Sequence, residues 1–572
     1  MKTKLLIAKG MNPEWAKLNL RSQITRSWSW LVGCCLLVGW QAGAVGTWTR
    51  INADPPSWVS RMALLSDGTI LAQMNGSQSW QRLTPDGQGI YINGAWSAVL
   101  SSHDSRTFYA SALLKDGRYL VAGGEYGTGG TNAEVFDPVA NSWTKTPQAL
   151  VGFGDAQGEI LSDGRVLVSP VGWNPYPAFV SVIYDPLANS WSEAQASTNY
   201  QNECTWVKLP DDSILTVDDD STATERYIPA SGQWIADAST TVNLWDLANH
   251  ELGPAFLLPD GRAFFLGGSG HTAYYTPSGN NNPGTWAAGP NIPSGYVATD
   301  APGAMMPNGK ILCVVSSKTS HNPVYFFEFD PVANSFTQVA SPTGGLSDGT
   351  TISDAMTMLA MPSGNILFSD TGSHLWVYQP DGSPVASGKP TINKVSWNTD
   401  GSLHLTGTLF NGISVGAAFG DDGQMDSNYP IVRFTDGSGN VYYGRTYNWS
   451  RTSVQTGGAV VTTECAVPAA VFDGPGIYSM QVIANGIPSN PVTFYGPVWV
   501  NFNYSGFFQF GDYSFPYSTL PQGVSAIASS FSGGTIAINA STQPSTGHES
   551  VPYTISTPMT IISVYGPSTI GQ

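Results

Sequence analysis

The sequence contains little charge: 11% of its 572 residues are Asp, Glu, Lys or Arg. Its 24 basic residues are outnumbered by 41 acidic ones, which gives a net charge of −17. A nucleic-acid surface needs clustered Lys and Arg to neutralise phosphates, so we do not expect nucleic acid as a partner. An acidic surface favours solubility and attracts cations.

Cysteine is also scarce, with five residues in the whole chain. Those that follow residue 44 are Cys204, Cys313 and Cys465. An odd number of widely spaced cysteines does not build a disulfide framework, and no C-x-x-C pair has the spacing of a metal site. The seven histidines form no H-E-x-x-H or three-histidine zinc pattern.

Long apolar runs are missing except at residues 28–40. Arg21 and Arg26 precede that run, and Ala42-Gly43-Ala44 follows it as an A-x-A cleavage site. We therefore predict that residues 1–44 are a signal peptide and that the protein is secreted or exposed at the cell surface. The apolar core is too short to span a bilayer stably. Lipidation at Cys34 and an uncleaved anchor remain as alternatives.

Turn-forming residues are abundant, with 63 Gly and 39 Pro. An Asp-Gly-like turn recurs roughly every 48 residues, and each copy is flanked by short strand patterns. The first residues of these turns are Asp67, Asp116, Asp163, Asp211, Asp260, Asn308 and Ser363. Units of four antiparallel strands at this period are typical of the blades of a β-propeller.

We predict an all-β fold with a seven-bladed β-propeller at residues 45–380 and a linker at 381–390. An immunoglobulin-like β-sandwich at 391–494 and a short β-rich tail at 495–572 follow. Residues 47–51 have the pattern of the last strand of a blade, yet they precede the first blade in the chain. We therefore expect them to complete blade 7 and close the ring. The tail strands resemble the first coils of a parallel β-helix. No amphipathic helix is expected beyond residue 45.

The repeat from Arg106 through Asp116-Gly117 to Trp143 resembles a kelch repeat. A kelch propeller followed by an immunoglobulin-like domain resembles the galactose oxidase and glyoxal oxidase architecture, over about residues 46–494 of this chain. That family holds one copper ion through two tyrosines, two histidines and a cysteine cross-linked to a tyrosine.

The residues that correspond to the copper ligands differ in this sequence. Phe108 stands at the first tyrosine position, and Tyr109 comes one place late. Asp354-Ala355 aligns with the family's Tyr-His pair, and residues 416–422 contain no histidine. We therefore do not expect copper as a cofactor.

Acidic residues occupy a recurring position, eight or nine residues before the turn, where the innermost strand of a blade begins. They are Asp155, Glu203, Glu251, Asp300 and Asp354. His103 and His250 also precede inner strands, and we expect them to reach the same mouth of the central channel. All seven are predicted ligand-binding residues. Because hard oxygen ligands suit Ca²⁺, we predict Asp300, Glu251 and Asp354 as metal ligands.

We call this predicted group of acids at one opening of the central channel the acidic mouth. Five ionised carboxylates would repel one another there, so some of them must be protonated, hydrogen-bonded or bound to a cation. Three interpretations therefore remain open. The acids could accept backbone N–H bonds from the neighbouring blade and hold the ring together. They could form a site for a cation or for a cationic or hydroxyl-rich ligand. They could also provide paired acid–base catalysis.

Two other acidic segments are weaker candidates. Residues 419–426 form a Ca²⁺ loop or a plain polar hairpin, and residues 218–220 form a Ca²⁺ turn or a solvated turn. We expect His271 to pack between blades and His321 to lie in a loop.

No complete catalytic set is present, so we predict a secreted propeller protein that binds a carbohydrate or a protein ligand. The alternative is an enzyme that uses the acidic mouth, either a metal-assisted lyase or hydrolase or a divergent galactose oxidase-like oxidoreductase.

Overall fold

The computed structural model describes most of the chain from residue 45 to residue 571. The residues outside this description are 1–44, 153, 170–179, 200, 202–203, 249, 318–320, 350–351, 417–427, 532, 549–552 and 572. The predicted signal peptide, the candidate Ca²⁺ loop at 419–426 and the predicted ligand Glu203 therefore lie outside the described residues.

The described chain begins with seven antiparallel sheets, each built around four strands, as the turn repeat predicts. Blade 1 comprises Val59–Leu64, Ile70–Met74, Ser79–Thr84 and Ala95–Ala98. Blade 2 comprises Ala110–Leu113, Tyr119–Ala122, Ala133–Asp137 and Ser142–Lys145. Blade 3 comprises Gly158–Ile160, Val166–Val168, Val180–Asp185 and Ser190–Ala196. Blade 4 comprises Trp206–Lys208, Ile214–Val217, Thr224–Ile228 and Gln233–Ala236.

The remaining blades repeat this arrangement with small additions. Blade 5 comprises Ala255–Leu257, Ala263–Leu266, Thr272–Thr276 and Thr285–Ala288. Blade 6 comprises Gly303–Met305, Ile311–Ser316, Val324–Asp330 and Ser335–Val339, with the short Ser347–Asp348 beside its third strand. Blade 7 comprises Thr357–Ala360, Ile366–Ser369, Leu375–Gln379 and Thr47–Arg50. Outside the blades, Arg106–Thr107 pairs with Tyr126–Gly127.

The second strand of each blade is buried along its whole length, because each sheet lies between two neighbouring sheets. Large aromatic side chains fill the space between blades. The rings of Trp80 in blade 1 and Trp143 in blade 2 lie 4.8 Å apart, and Phe264 in blade 5 stacks on Phe329 in blade 6 at 4.2 Å. Aromatic pairs at such distances stabilise the contact beyond the area they bury.

The first strand of the chain closes the ring. Thr47–Arg50 pairs antiparallel with Leu375–Gln379, so blade 7 combines three strands from the end of the propeller with one from its start. This confirms the expectation for residues 47–51: the first strand supplies the outer strand of blade 7 and so joins the two ends of the propeller.

A β-sandwich follows the propeller. Its strands are Thr391–Trp397, Leu403–Thr408, Ile431–Asp436, Val441–Tyr447, Val461–Ala466, Ile477–Ala484, Ile487–Pro488 and Val492–Tyr495, with a short helix at Ala469–Phe472. Val441–Tyr447 pairs with Ile431–Asp436 through its first half and with Val461–Ala466 through its second half, so it joins the two layers. Leu405, Phe434 and Val482 pack in the core between them.

The sandwich and the linker cover the end of the propeller that carries the repeated turns. Each of blades 1 to 6 is joined to the sandwich or the linker by a hydrogen bond near its turn. In blade order, these include Ser66 Oγ–H to Thr446 O, Arg445 Nη1–H to Asp116 O, Thr452 Oγ1–H to Leu161 O, Ser453 Oγ–H to Asp212 Oδ2, Gln455 Nε2–H to Leu258 O and Val385 N–H to Pro307 O. Gly486 packs against Gly364 of blade 7. Because each inner strand runs toward these turns, Asp155, Glu251, Asp300 and Asp354 lie at the opposite end, which we call the open face.

One short strand of the sandwich segment enters the propeller. Val415–Gly416 pairs antiparallel with Phe256–Leu257 of the inner strand of blade 5. Val415 is buried in the same apolar cluster as Leu257. The central channel is therefore occupied in part by this segment.

The tail contains parallel strands, as predicted, and a helix that was not predicted from the sequence pattern. Val498–Val500, Gly534–Asn539 and Met559–Val564 pair in parallel, and Thr546–Gly547 pairs in parallel with Thr569–Ile570. The helix Leu520–Ser530 begins with a capping box between Thr519 and Gln522. The expectation of no helix was wrong because this single amphipathic segment is short, yet its Thr-x-x-Gln start was a readable signal.

The tail packs on the sandwich through Phe472, whose ring lies 4.9 Å from that of Trp499. In the described part of the chain, no helix combines the length and apolar character needed to cross a membrane.

Candidate functional site

The recurring acidic position lies in a ring of hydrogen bonds between neighbouring blades. Asp155 N–H donates to Phe108 O across blades 3 and 2 at 3.3 Å. Asp300 N–H donates to Leu252 O across blades 6 and 5 at 3.0 Å. Ser353, next to Asp354, donates its hydroxyl to Thr299 O at 3.3 Å. Asp155, Asp300 and Asp354 therefore occupy equivalent places at one end of the propeller.

A shared backbone conformation explains part of this pattern. Phe108, Asp155 and Asp300, each eight residues before a turn, have φ values of 51°, 44° and 45°. Asp tolerates this left-handed conformation better than most residues because its short side chain can hydrogen-bond locally. The excess of acidic residues at this position thus has a conformational cause in blades 3 and 6.

The predicted metal ligands do not form the tightest carboxylate group. Asp155 and Asp300 are buried, whereas Glu251 and Asp354 are half-buried. Among the residues described, Asp218, Asp219 and Asp220 form the group whose potential ligand oxygens all lie within 4.8 Å of one another. The role of Asp300, Glu251 and Asp354 as metal ligands stays a prediction.

The acidic group at residues 218–220 follows the second strand of blade 4, on the open face. Asp218 and Asp219 are buried, so the interpretation as a solvated turn holds for Asp220 alone. Burial raises the pKa of Asp219 to about 7, and the charges of Asp218 and Asp220 add to this shift. A hydrogen bond with Asp218 raises the pKa of Asp220.

The two predicted histidines have different surroundings. His250 lies near the 218–220 group, where its charge lowers the pKa of Asp219 and thereby opposes the effect of burial. His103 Nδ1 lies 2.7 Å from Glu134 Oε2 in the third strand of blade 2. Glu134 also forms a fully buried ion pair with Arg106 at 2.6 Å. His103 is therefore part of a network that holds blade 2.

A cavity of about 500 Å³ opens on the same face, between blades 5 and 6. Trp245 and Asp246 come from the connection between blades 4 and 5, Ser269 and His271 from a loop of blade 5, and His321 from a loop of blade 6. This volume falls in the range of small-molecule sites, which combine apolar or aromatic walls with a few polar groups.

The walls of the cavity are held in place by local hydrogen bonds. Trp245 packs beside the apolar cluster of blades 4 and 5, and its backbone N–H donates to Asn243 Oδ1 at 2.9 Å. Ser269 Oγ–H donates to Asn243 O at 2.6 Å, and His271 Nδ1 lies 2.9 Å from Asn291 Oδ1. This contact fixes the His271 ring through one nitrogen, Nδ1.

The cavity adjoins the predicted acids. His321 Nδ1 lies 3.8 Å from Asp354 Oδ1, and Asp246 N–H donates to Glu251 O at 2.9 Å. Thr299, which precedes Asp300, also lines the cavity. Glu251, Asp300 and Asp354 therefore lie next to this cavity, while Asp155 belongs to the other side of the ring.

Trp245, His271 and His321 were not among the predicted site residues. His271 was expected to pack between blades, and its half-exposed ring lines the cavity between blades 5 and 6. His321 lies in a loop as expected, and that loop reaches the cavity. The available signal was position: both histidines follow the second strand of a blade, which ends on the open face.

No family model and no curated protein matches this chain. Several solved structures are similar to it. A fungal alcohol oxidase of the AA5 family in complex with copper has 15% identity over 80% of this chain and all of its own, with a TM-score of 0.48. A streptogramin B lyase has 10% identity over 60% of this chain and all of its own, with a TM-score of 0.42.

A virginiamycin B lyase from Staphylococcus aureus has 8% identity over 59% of this chain and 99% of its own, with a TM-score of 0.40. At these values the likenesses carry no argument about what this chain binds or does.

Proposed function

We propose that the open face of the propeller binds a carbohydrate and that the cavity between blades 5 and 6 is the binding site. The observation that carries this proposal is the combination of the Trp245 ring with hydrogen-bonding side chains in one cavity. An indole ring offers an apolar surface to the C–H groups of a sugar, and the polar groups around it suit hydroxyls that both donate and accept.

The charge of the chain also supports a neutral, hydroxyl-rich ligand. With a net charge of −17 and acidic residues beside the cavity, an anionic ligand meets repulsion at the open face. Asp246 accepts a hydrogen bond from Ala248 N–H at 2.8 Å, which orients its carboxylate at the rim. Charged acceptors of this kind form strong hydrogen bonds with hydroxyl donors.

Glycan-array binding followed by calorimetry tests the proposal. The array, run with and without a chelator, identifies the sugar and shows whether binding needs a divalent cation. We then expect Trp245→Ala to weaken binding of that sugar at least tenfold. Trp58→Ala is the matched control because Trp58 is an exposed tryptophan of blade 1 outside the cavity, and it should bind within twofold of the parent. Equal affinity for both variants, or no glycan bound, would overturn the proposal.

We propose further that the chain does not hold copper in the manner of the oxidases it resembles in sequence. Phe108 offers no ligand atom, and Tyr109 is 1% exposed within the core shared by blades 1, 2 and 7. Cys204, Cys313 and Cys465 are buried thiols outside any disulfide, and burial raises the pKa of Cys313 and Cys465 well above the usual range. These surroundings of Phe108, Tyr109 and the three cysteines support the proposal.

Metal analysis and a hydrogen peroxide assay over simple alcohols and aldehydes test this second proposal. We expect no stoichiometric copper after loading and no peroxide. One equivalent of copper together with peroxide release would support the alternative, a divergent oxidoreductase.

A further inference from the structure

The stack of parallel strands in the tail has two ends, and they are finished differently. At the first end, residues 511–517 cover the strand Val498–Val500. Trp499 N–H donates to Gly511 O at 2.8 Å, Asn501 N–H donates to Tyr517 O at 2.8 Å, and Tyr517 N–H donates to Trp499 O at 3.0 Å. The backbone groups of this edge are therefore paired within the chain.

The other end is the strand Met559–Val564. Within the described residues it pairs with Gly534–Asn539 on one side, and it is the terminal strand of its sheet. In a parallel pair, half of a strand's N–H and C=O groups point away from the neighbour. Those groups face outward here and form a template for another strand.

The side chains of this last strand also end two apolar stacks. The register places Val498, Ile536 and Ile561 in one column and Trp499, Ala537 and Ile562 in the next. The first two members of each column are buried, whereas Ile561 and Ile562 are half-buried. Stacked repeat structures normally end in a unit with a polar outer face, because an apolar end lowers solubility.

Natural strand edges carry charges, proline or a bulge that prevents pairing with another chain. The described strand Met559–Val564 contains none of these: residues 553–571 have no Asp, Glu, Lys or Arg, their prolines Pro558 and Pro567 lie outside the strand, and the pairing with its neighbour shows no register shift. Two copies of this acidic chain would repel each other through most of their surface, but not through this neutral edge.

We propose that Met559–Val564 pairs with the same strand of a second copy of the chain, antiparallel and about a two-fold axis. Such pairing places Ile561 of one copy opposite Ile561 of the other, so that residues of the same face meet across the axis, satisfies the outward backbone groups and covers the ends of the apolar columns. A two-fold contact uses the same patch on both copies and closes on itself, so it yields a dimer and no larger assembly.

Sedimentation equilibrium on the full chain tests the proposal. We expect twice the chain's mass for the parent and a dissociation constant at least tenfold higher for Thr560→Lys, which brings two lysines into a neutral pairing edge. Thr560 is exposed, so the substitution leaves the fold intact. Thr144→Lys, the same change at an exposed strand position of blade 2, is the control and should dimerise like the parent.

Hydrogen exchange on the parent provides a second measurement that depends on no variant. The amides of residues 559–564 should become more protected as the protein concentration rises through the dimerisation range. A monomer at all concentrations, a series of larger assemblies, a Thr560→Lys protein that dimerises like the parent, or a dimer without added protection at residues 559–564 would each overturn the proposal.

Discussion

Trp48 and Tyr378 face each other across the strand pair that closes the propeller, with ring centroids 4.7 Å apart. Trp48 also packs on Phe326 of blade 6 and Phe368 of blade 7, each at 5.4 Å, and its Nε1–H donates to Ala340 O at 2.8 Å. The first strand is therefore attached to two blades by side chains as well as by backbone pairing.

We predict that Trp48→Ala lowers the free energy of unfolding by about 2–3 kcal/mol, somewhat less than the loss of a fully buried tryptophan, because Trp48 is half-buried. Denaturant unfolding measures the change. Trp58→Ala serves as the control, and since Trp58 is 38% exposed its loss should be clearly smaller. Equal losses in the two variants would show that the closing strand contributes little.

The packing of the turns on the sandwich can be tested at Gly68. This residue has a φ of +75°, and a Cβ atom added there would lie 2.7 Å from Cγ of Tyr443. Gly279 has a φ of +74°, and a Cβ atom added there would meet no heavy atom within 4 Å. Both alanine variants carry the backbone strain, but Gly68→Ala alone meets a ring, so we expect it to be less stable by about a further 1–3 kcal/mol. Thermal unfolding measures the difference between the two variants. Equal stabilities would contradict the close packing of Gly68 on Tyr443.

The raised pKa of Asp219 predicts a pH-dependent stability. The folded state holds the proton up to about pH 7, whereas the unfolded carboxyl releases it near its ordinary pKa of 3.8. The folded state therefore binds more protons between these values, and this group's contribution to stability falls as pH rises through that window. We expect Asp219→Asn to be stabilised relative to the parent at pH 8 and to differ less at pH 4.5. Melting temperatures at both values measure this, and a difference that does not vary with pH would exclude the effect.

Calcium titration tests the predicted metal ligands. We expect the parent to release or absorb heat on Ca²⁺ addition and Glu251→Gln/Asp300→Asn to lose that heat, because hard carboxylate ligands are removed. Asp219→Asn is the comparison and should retain it. If Asp219→Asn alone loses the heat of Ca²⁺ addition, the cation site is at residues 218–220 instead. Equal heats in the parent and the double variant, or none in either, would remove calcium from the open face.

The sequence by itself determined the number of blades, the closing strand and the end of the propeller at which Asp155, Asp300 and Asp354 lie. Each of these depends on local chemistry repeated along the chain: a turn that needs Gly, flanking strands, and a fixed distance from the turn to the start of the inner strand. The parallel strands of the tail were readable for the same reason. The helix Leu520–Ser530 was missed because its one readable signal, the capping box at Thr519 and Gln522, is weak beside so many strand patterns.

Only the tertiary structure decided which side chains share a site. Trp245, His271 and His321 come from three separate connections. The two histidines share a position after the second strand of a blade, but no spacing in the sequence relates them to Trp245, because the position of a loop end depends on how adjacent blades pack. The same holds for the carboxylates. Asp218, Asp219 and Asp220 follow one strand end of blade 4 and their potential ligand oxygens lie within 4.8 Å of one another, whereas Asp155, Glu251, Asp300 and Asp354 each belong to a different blade.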